Sequence, residues 1–462
     1  MNPNLVNVAY LVASVLFILG LKGLTSPRSA PRGNMLGAMG MLLAVVATLT
    51  DAQIVSYEMI LLGVGIGALA GALAAFKVEM TAMPEMVAIF NGFGGGASAL
   101  VAATAILAPD MLAGVPEIQL YASSAISALI GAVTLTGSVI AFLKLSEKLK
   151  AQPTGGAYQM LSTGSGVAAL AVAAYYVANP GDEWAFWTLT AVAGLYGILL
   201  TASVGGADMP VVIALLNSLS GLAAAATGFV FNNSVLIIAG SLVGASGFIL
   251  TKIMCDAMNR SLIDVLKGDL GDASTEGPSA DDVYAGRVKS TNADEAALLF
   301  DGIDRVAVVP GYGMAVAQAQ HAVRDLANVL EAQDIEVVYA IHPVAGRMPG
   351  HMNVLLAEAD VPYDKLLEMD VINPTFNEVD VAIVVGANDV VNPSAREDKG
   401  SPIFGMPILN VDQARTVIVI KRSLSPGFAG IPNPLFANDN TLMYFGDGKQ
   451  AIRDLMAAIK DL

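Results

Sequence analysis

Up to about residue 260 the chain alternates long apolar runs with short polar breaks; beyond it the apolar segments shrink to strand and helix length. The first part reads as nine stretches, each near the ~20 residues that cross a bilayer. They are Leu5–Gly23, Met35–Thr50, Tyr57–Phe76, Pro84–Leu107, Gln119–Leu143, Tyr158–Val177, Trp184–Thr201, Pro210–Phe231 and Ser234–Cys255. The first has neither a basic leader nor a small-residue cleavage site, so it is expected to span the membrane rather than be removed. Residues 268–291 show no apolar period and read as a Gly/Ser/Asp/Pro linker. Asn292 with Glu295 then makes a capping box for a short helix to about Phe300. Strand patterns follow at Arg305–Val309, Ile335–Ile341, Val379–Gly386, Pro407–Val411, Thr416–Ile420 and Leu442–Phe445. Helices are expected at Met314–Leu330, near Met352–Glu358 and at Lys449–Leu462. Near-continuous apolar strands alternating with helices predict a doubly wound parallel sheet. The expected fold is a polytopic all-α membrane domain over residues 1–260, a linker over 261–290, and an α/β Rossmann-like domain over 291–462.

Charge sharpens this division. Residues 1–260 carry 9 Lys+Arg against 11 Asp+Glu, and 261–462 carry 15 against 29, so −14 of the net −16 lies in the second part. An acidic domain of that kind argues against nucleic acid as a partner. Lys22, Arg28 and Arg32 follow the first span, Lys77 the third, Lys144, Lys148 and Lys150 the fifth, and Lys252 and Arg260 the ninth. The intervening connections carry Asp51, Asp110, Glu117, Asp182 and Glu183 but no cation. By the positive-inside rule the N-terminus lies outside and the second part is cytoplasmic. Cys255 is the only cysteine, which excludes a disulfide framework. The three histidines, His321, His342 and His351, are too scattered to form a metal site.

Inside the spans, Met83-Pro84-Glu-Met-Val-Ala88-Ile-Phe-Asn91 parallels Met209-Pro210-Val-Val-Ile-Ala214-Leu-Leu-Asn217. Each Asn falls roughly 10 Å into a helix that enters from the cytoplasmic side. Polar groups at that depth either mark a transport path or join helices by hydrogen bonds. Ser138, with Thr134 one turn before it, is a third such point on the fifth span. Asp208, just ahead of the eighth span, is either an N-terminal cap or a proton gate.

In the second part, Val306-Ala-Val-Val-Pro runs into Gly311-Tyr312-Gly313-Met314-Ala315-Val316, a Gly-x-Gly-x-x-Ala turn that opens a helix. Such a turn suits a pyrophosphate at a helix N-terminus. The second strand ends at His342 and leads to Ala345, Gly346 and Arg347, with none of the acid that usually holds the ribose 2′-OH of NAD. A later strand ends in Lys421-Arg422-Ser423, two cations and a hydroxyl suited to a 2′-phosphate, or else a solvated charge pair. The inferred ligand is NADP. The loop through Gly427, Phe428, Ala429 and Gly430 reads as a lid. Asn388 and Asp389, and likewise Asp447 and Gly448, follow strands at the same sheet edge, where an ordinary turn is the alternative. No nucleophile–base triad and no phosphate-loop lysine accompanies them.

Taken together, Gly311-Tyr-Gly-Met-Ala-Val-Ala-Gln-Ala, His342-Pro-Val-Ala-Gly-Arg-Met-Pro-Gly-His351, Gly386-Ala-Asn-Asp389, Lys421-Arg-Ser423 and Gly205-Gly-Ala-Asp-Met-Pro-Val-Val212 resemble the beta subunit of proton-translocating NAD(P) transhydrogenase. The resemblance covers the whole chain. It implies Re/Si-specific hydride transfer from NADH to NADP+, coupled to proton entry across a bacterial inner membrane. NADP(H) would lie here, reversed relative to ordinary Rossmann enzymes. NAD(H) would lie on an alpha-type subunit, alone or with a separate small membrane subunit, in a dimer of the heteromeric unit. No side chain of this chain is expected to act as a catalytic residue, and no metal is expected. Lys421, Arg422 and Ser423 match the 2′-phosphate binders, Phe428 the lid, and Asp389 the acid of a protonation switch. Asn217, Ser138 and Asp208 match polar positions of the proton path, in which Asn91 is also placed. One departure is that Asn91 stands where the best-known members have His, and Asn does not titrate near neutrality. The preferred reading places the protonatable group on the small subunit; water and carboxylates are the other route. From the residues alone, a membrane channel or transporter that senses nucleotide is the alternative.

Overall fold

The computed structural model describes residues 3–24, 29–50, 57–112, 114–149, 151–153, 155–268, 283–284 and 286–462. They form two compact units, Met1–Ser203 with Val212–Leu250, and Val204–Val211 with Thr251–Leu462.

Nine helices among the described residues are long and apolar enough to cross a membrane. They are Leu5–Gly23, Ala30–Leu49, Tyr57–Lys77, Met83–Leu107, Glu117–Leu145, Gly156–Ala178, Glu183–Ala202, Met209–Val230 and Ser234–Ala257, numbered here as spans one to nine. The expected stretches recur with ends moved by a few residues, because caps and prolines set the ends. Pro31 and Pro84 sit in the first turns of their helices, where a missing N–H costs nothing. Asp182 accepts from Ala185 N at 3.2 Å and starts span seven. Span four is broken at Ala103, where its main helix Met83–Ala102 yields to Thr104–Leu107.

Spans four and five touch backbone to backbone. A Cβ at Gly92 would lie 2.9 Å from the Ser138 Cβ, and one at Gly95 would lie 2.7 Å from that of Thr134. Small residues allow dispersion and hydrogen bonds to hold helices together where lipid removes the hydrophobic drive. Span three shows the opposite extreme, with none of its residues buried.

In the second unit six strands run parallel: β1 Arg305–Pro310, β2 Glu336–Ile341, β3 Leu366–Glu368, β4 Val381–Val385, β5 Thr416–Lys421 and β6 Thr441–Phe445. Their order is β3-β2-β1-β4-β5-β6, the doubly wound arrangement whose crevice opens between β1 and β4. Val306–Pro310 and all of β4 are buried, as expected for strands covered on both faces.

Three expectations change. The helix read as Met314–Leu330 is two helices, Tyr312–Val316 and Gln320–Glu331, parted by Gln318 at φ 48°. No Gly or Pro marks that break, so composition hid it. Strand β3 is only three residues long and was not foreseen. Pro407–Val411, expected as a strand, forms no ladder. Leu409 N donates to Val390 O at 2.9 Å, and the Asn373 side chain serves Ile408 O at 2.9 Å and Asn410 N at 3.0 Å. One amide side chain thus satisfies the backbone that a neighbouring strand would have satisfied.

Most of the linker, residues 269–282, lies outside the described residues. At its end, however, Val283 and Tyr284 are buried in the core of the sheet.

Candidate functional site

The loops after β1, β2, β4, β5 and β6 meet at the carboxyl edge of the sheet and enclose a cavity of about 630 Å³. The turn after β1 is fixed by the turn after β4. Gly311 N donates to Val385 O and Gly313 N to Gly386 O, both at 2.9 Å. A Cβ on Gly313 would stand 2.6 Å from the Gly386 Cα, and Gly386 itself sits at φ 64°. The glycines are therefore demanded by two backbones crossing. They leave Tyr312, Val316 and Ala317 on the cavity wall, while Met314 and Ala315 point into the core.

After β2 the histidines turn inward. His342 is buried, with Nε2 2.8 Å from Pro407 O, and Nδ1 accepts from Val344 N at 3.2 Å. Those bonds assign the hydrogen to Nε2. Burial lowers the His342 pKa to about 4, so the ring is neutral at physiological pH. His351 is also lowered to about 4, by burial and then by the Arg347 charge, and its Nδ1 accepts from Arg347 N at 3.1 Å. Neither ring lines the cavity, and neither does Arg347, which lies 4.4 Å over the Tyr312 ring. Val344, Ala345 and Gly346 form that wall instead.

At the end of β5, Arg422 and Ser423 are exposed, while Lys421 is half-buried, bonds to Ser425 O, and lies 5.1 Å over the Phe436 ring. Burial lowers the Lys421 pKa and Asp389 draws it back. The loop beyond is pinned to the β4 turn at three points. Asp389 Oδ2 accepts from Ala429 N at 3.1 Å, Asn433 Nδ2 donates to Asn388 O at 3.1 Å, and Asn392 Nδ2 donates to Pro432 O at 3.2 Å. Phe428 projects from the loop, 46% exposed, with its ring centroid 6.1 Å from that of Tyr312. Burial raises the Asp389 carboxyl above the usual carboxylate range, opposed by the Ala429 and Phe428 amides and by Lys421. Its Oδ1 is buried with no hydrogen-bond partner among the described residues. A buried oxygen in that position calls for a proton or a donor.

Asp447 accepts from Lys449 N at 3.1 Å and Gln450 N at 3.2 Å, capping the last helix while its residue also edges the cavity. Gly430 does not line it. Sequence reasoning missed the apolar wall of Pro402, Ile403 and Met406, which no motif announces. It also missed Met258 and Arg260. Asp208 lines the same cavity within this unit, fully buried, its Oδ2 2.6 Å from Arg260 Nη1. Burial pushes its carboxyl up and Arg260 draws it back.

The first unit gathers the other polar positions. Asn91 is buried on span four, its Nδ2 3.4 Å from Ile213 O of span eight, one turn before Asn217. Ser138 of span five packs on Gly92 and its buried Oγ has no partner among the described residues. Asn217 is half-buried. Further along, Ser127 Oγ meets Thr227 Oγ1 at 2.8 Å and donates to Ser98 O at 3.1 Å, tying the same three spans together. No cluster of metal-ligating side chains occurs among the described residues.

The cavity's donor set fits a nucleotide bearing an extra phosphate: cations and hydroxyls at the β5 end, glycine turns at the crevice, and no acid at the β2 end. A family model described as NAD(P) transhydrogenase beta subunit matches residues 6–458. The chain is 47% identical over 465 residues to the NAD(P) transhydrogenase subunit beta of Rhodospirillum rubrum, covering 99% of this chain and 100% of that protein. The same figures hold for the protein of that name from a designated strain of the organism.

Proposed function

The chain belongs to the NAD(P) transhydrogenase beta-subunit family, and from that premise we propose that its sheet unit holds NADP(H) while NAD(H) lies on an alpha-type partner. Its membrane helices carry the protons that drive Re/Si-specific hydride exchange between the two nucleotides. Bound NADP(H) supplies the hydride chemistry through its nicotinamide ring; the side chains of this chain bind, orient and shield it. The observation that carries the reading is the placement of Lys421, Arg422 and Ser423. They stand at the carboxyl end of β5, on the far side of β4 from the ordinary adenosine position at β2. The phosphate-bearing ribose would therefore lie over β4 and β5, which reverses the nucleotide in the crevice. Arg422 supplies a planar fork, Lys421 a point charge and Ser423 a hydroxyl.

Lys421, Asn388 and the lid would grip the nucleotide, and the Asp389 carboxyl, shielded beneath the lid, would be protonated in the gripping state. The proton route would pass Asn91, Ser138 and Asn217, with Asp208 at its cytoplasmic end. The titrating group in place of Asn91 would come from a small membrane subunit of the partner. The basic connections support an N-terminus outside and a sheet domain in the cytoplasm. A dimer of the heteromeric unit in a bacterial inner membrane completes the reading.

Arg422→Ala tests it. Losing a bidentate charge-assisted contact costs about 2 kcal/mol, roughly thirtyfold in NADP(H) affinity, with NAD(H) affinity of the assembled enzyme unchanged. Equal loss for both nucleotides, measured by calorimetry, contradicts the 2′-phosphate assignment.

A further inference from the structure

The lid's return limb is held from beneath by a residue outside the nucleotide-facing loops. Asn433 is fully buried, and its backbone N–H donates to the Tyr284 hydroxyl at 3.0 Å. Its side chain works in two directions: Oδ1 accepts from Leu435 N at 3.0 Å, and Nδ2 donates to Asn388 O at 3.1 Å. Asn388 precedes Asp389, which accepts from Ala429 N at the top of the lid. The Tyr284 ring stacks on Phe436, with centroids 6.4 Å apart and planes at 18°, and Phe436 carries the Lys421 ammonium 5.1 Å from its own centroid. Tyr284 thus sits under both the lid's hinge and the β5 cation, although it belongs to the segment that leads into the sheet from the connection.

We propose that Tyr284 is a positioning residue for the lid, setting through the Asn433 amide how firmly NADP(H) is held. The argument is one of accounting. The Asn433 N–H is buried and donates to the Tyr284 hydroxyl, so without that oxygen the limb must shift until the amide reaches another acceptor or water. A shift there moves Asn388 and loosens the seat of Asp389 and Ala429. The Tyr284 hydroxyl and the closure of the lid are thereby coupled. The proposal rests on the reading of the cavity as the NADP(H) site.

Tyr284→Phe in the assembled enzyme keeps the ring on Phe436 and removes only the oxygen. NADPH release, followed by fluorescence on chasing with excess NADP+, should quicken about tenfold, the factor equivalent to 1.4 kcal/mol. The KM for NADP(H) should rise similarly and that for NAD(H) stay fixed, with thermal unfolding moved by less than about 2 °C. A second variant, Asn433→Ala, retains the backbone N–H but cuts the link to Asn388. Its effect and that of Tyr284→Phe should combine to less than the sum of the two, because they act in series. Unchanged release in Tyr284→Phe, additive effects, or a parallel loss for both nucleotides together with lowered thermal stability would overturn the proposal. Absence of NADP(H) binding to the unaltered enzyme would instead sink the functional reading beneath it.

Discussion

Gly427→Ala isolates the seat of the lid. Gly427 is not in the left-handed region, so an alanine there carries no backbone strain. What it meets is Asp389: the added Cβ would stand 2.6 Å from Oδ2 and 2.7 Å from Cγ. Asp389 is half-buried and lines the cavity, so either its carboxyl turns aside, parting from the lid in the same way, or the lid lifts. Lifting it breaks the bond from Ala429 N to Asp389 Oδ2, now 3.1 Å. A hydrogen bond to the neutral carboxyl contributes about 0.5–1.5 kcal/mol, so lid closure should weaken by roughly 2- to 13-fold. Water would reach the carboxyl, and its pKa would fall back towards the ordinary range because burial is the first cause of the rise. The sign follows. A carboxyl raised in the closed state favours closure at pH below its open-state value of about 4, and that advantage is lost as pH rises through the raised value. NADP(H) release by the unaltered enzyme should therefore quicken with pH across that window, whereas the variant should release fast throughout. Stopped-flow release from the assembled enzyme measures both. If Gly427→Ala binds and releases NADP(H) as the parent does, the lid does not sit on Asp389 in the working enzyme and the reasoning is refuted.

Other outcomes are equally direct. Asn217→Leu should cut proton-coupled turnover about tenfold or more while NADP(H) binding survives; unchanged proton uptake in vesicles removes Asn217 from the path. His342 and His351, both lowered to about 4, make the folded state bind fewer protons than the unfolded state between there and about 6.5. Stability of the sheet domain should then fall on acidification through that window, by about 3 kcal/mol for each ring at most. Denaturant titrations at pH 7 and pH 4.5 that coincide would show that the rings are solvated. The purified chain without its partner should show no hydride transfer from NADH to NADP+, and robust turnover would place both nucleotide sites on this chain.

Periodicity placed the nine spans and five of the six strands, because apolar runs of bilayer length have one reading and the short apolar runs stand between helical patterns and turn residues. The site's chemistry was also legible where it is local: Lys421, Arg422 and Ser423 are consecutive, and the Gly311 turn follows its strand directly. What stayed hidden depends on residues far apart in sequence. Gly313 is glycine because Gly386 crosses it, Pro407–Val411 is no strand because Asn373 satisfies it, and His342 leaves the cavity because Pro407 O claims its Nε2–H. Arg260 joins Asp208 across 52 positions, and Tyr284 reaches Asn433 across 149. Hydrogen bonds and close approaches of this kind are set by which backbones the fold brings together, a choice that a one-dimensional pattern of apolar and polar residues does not encode.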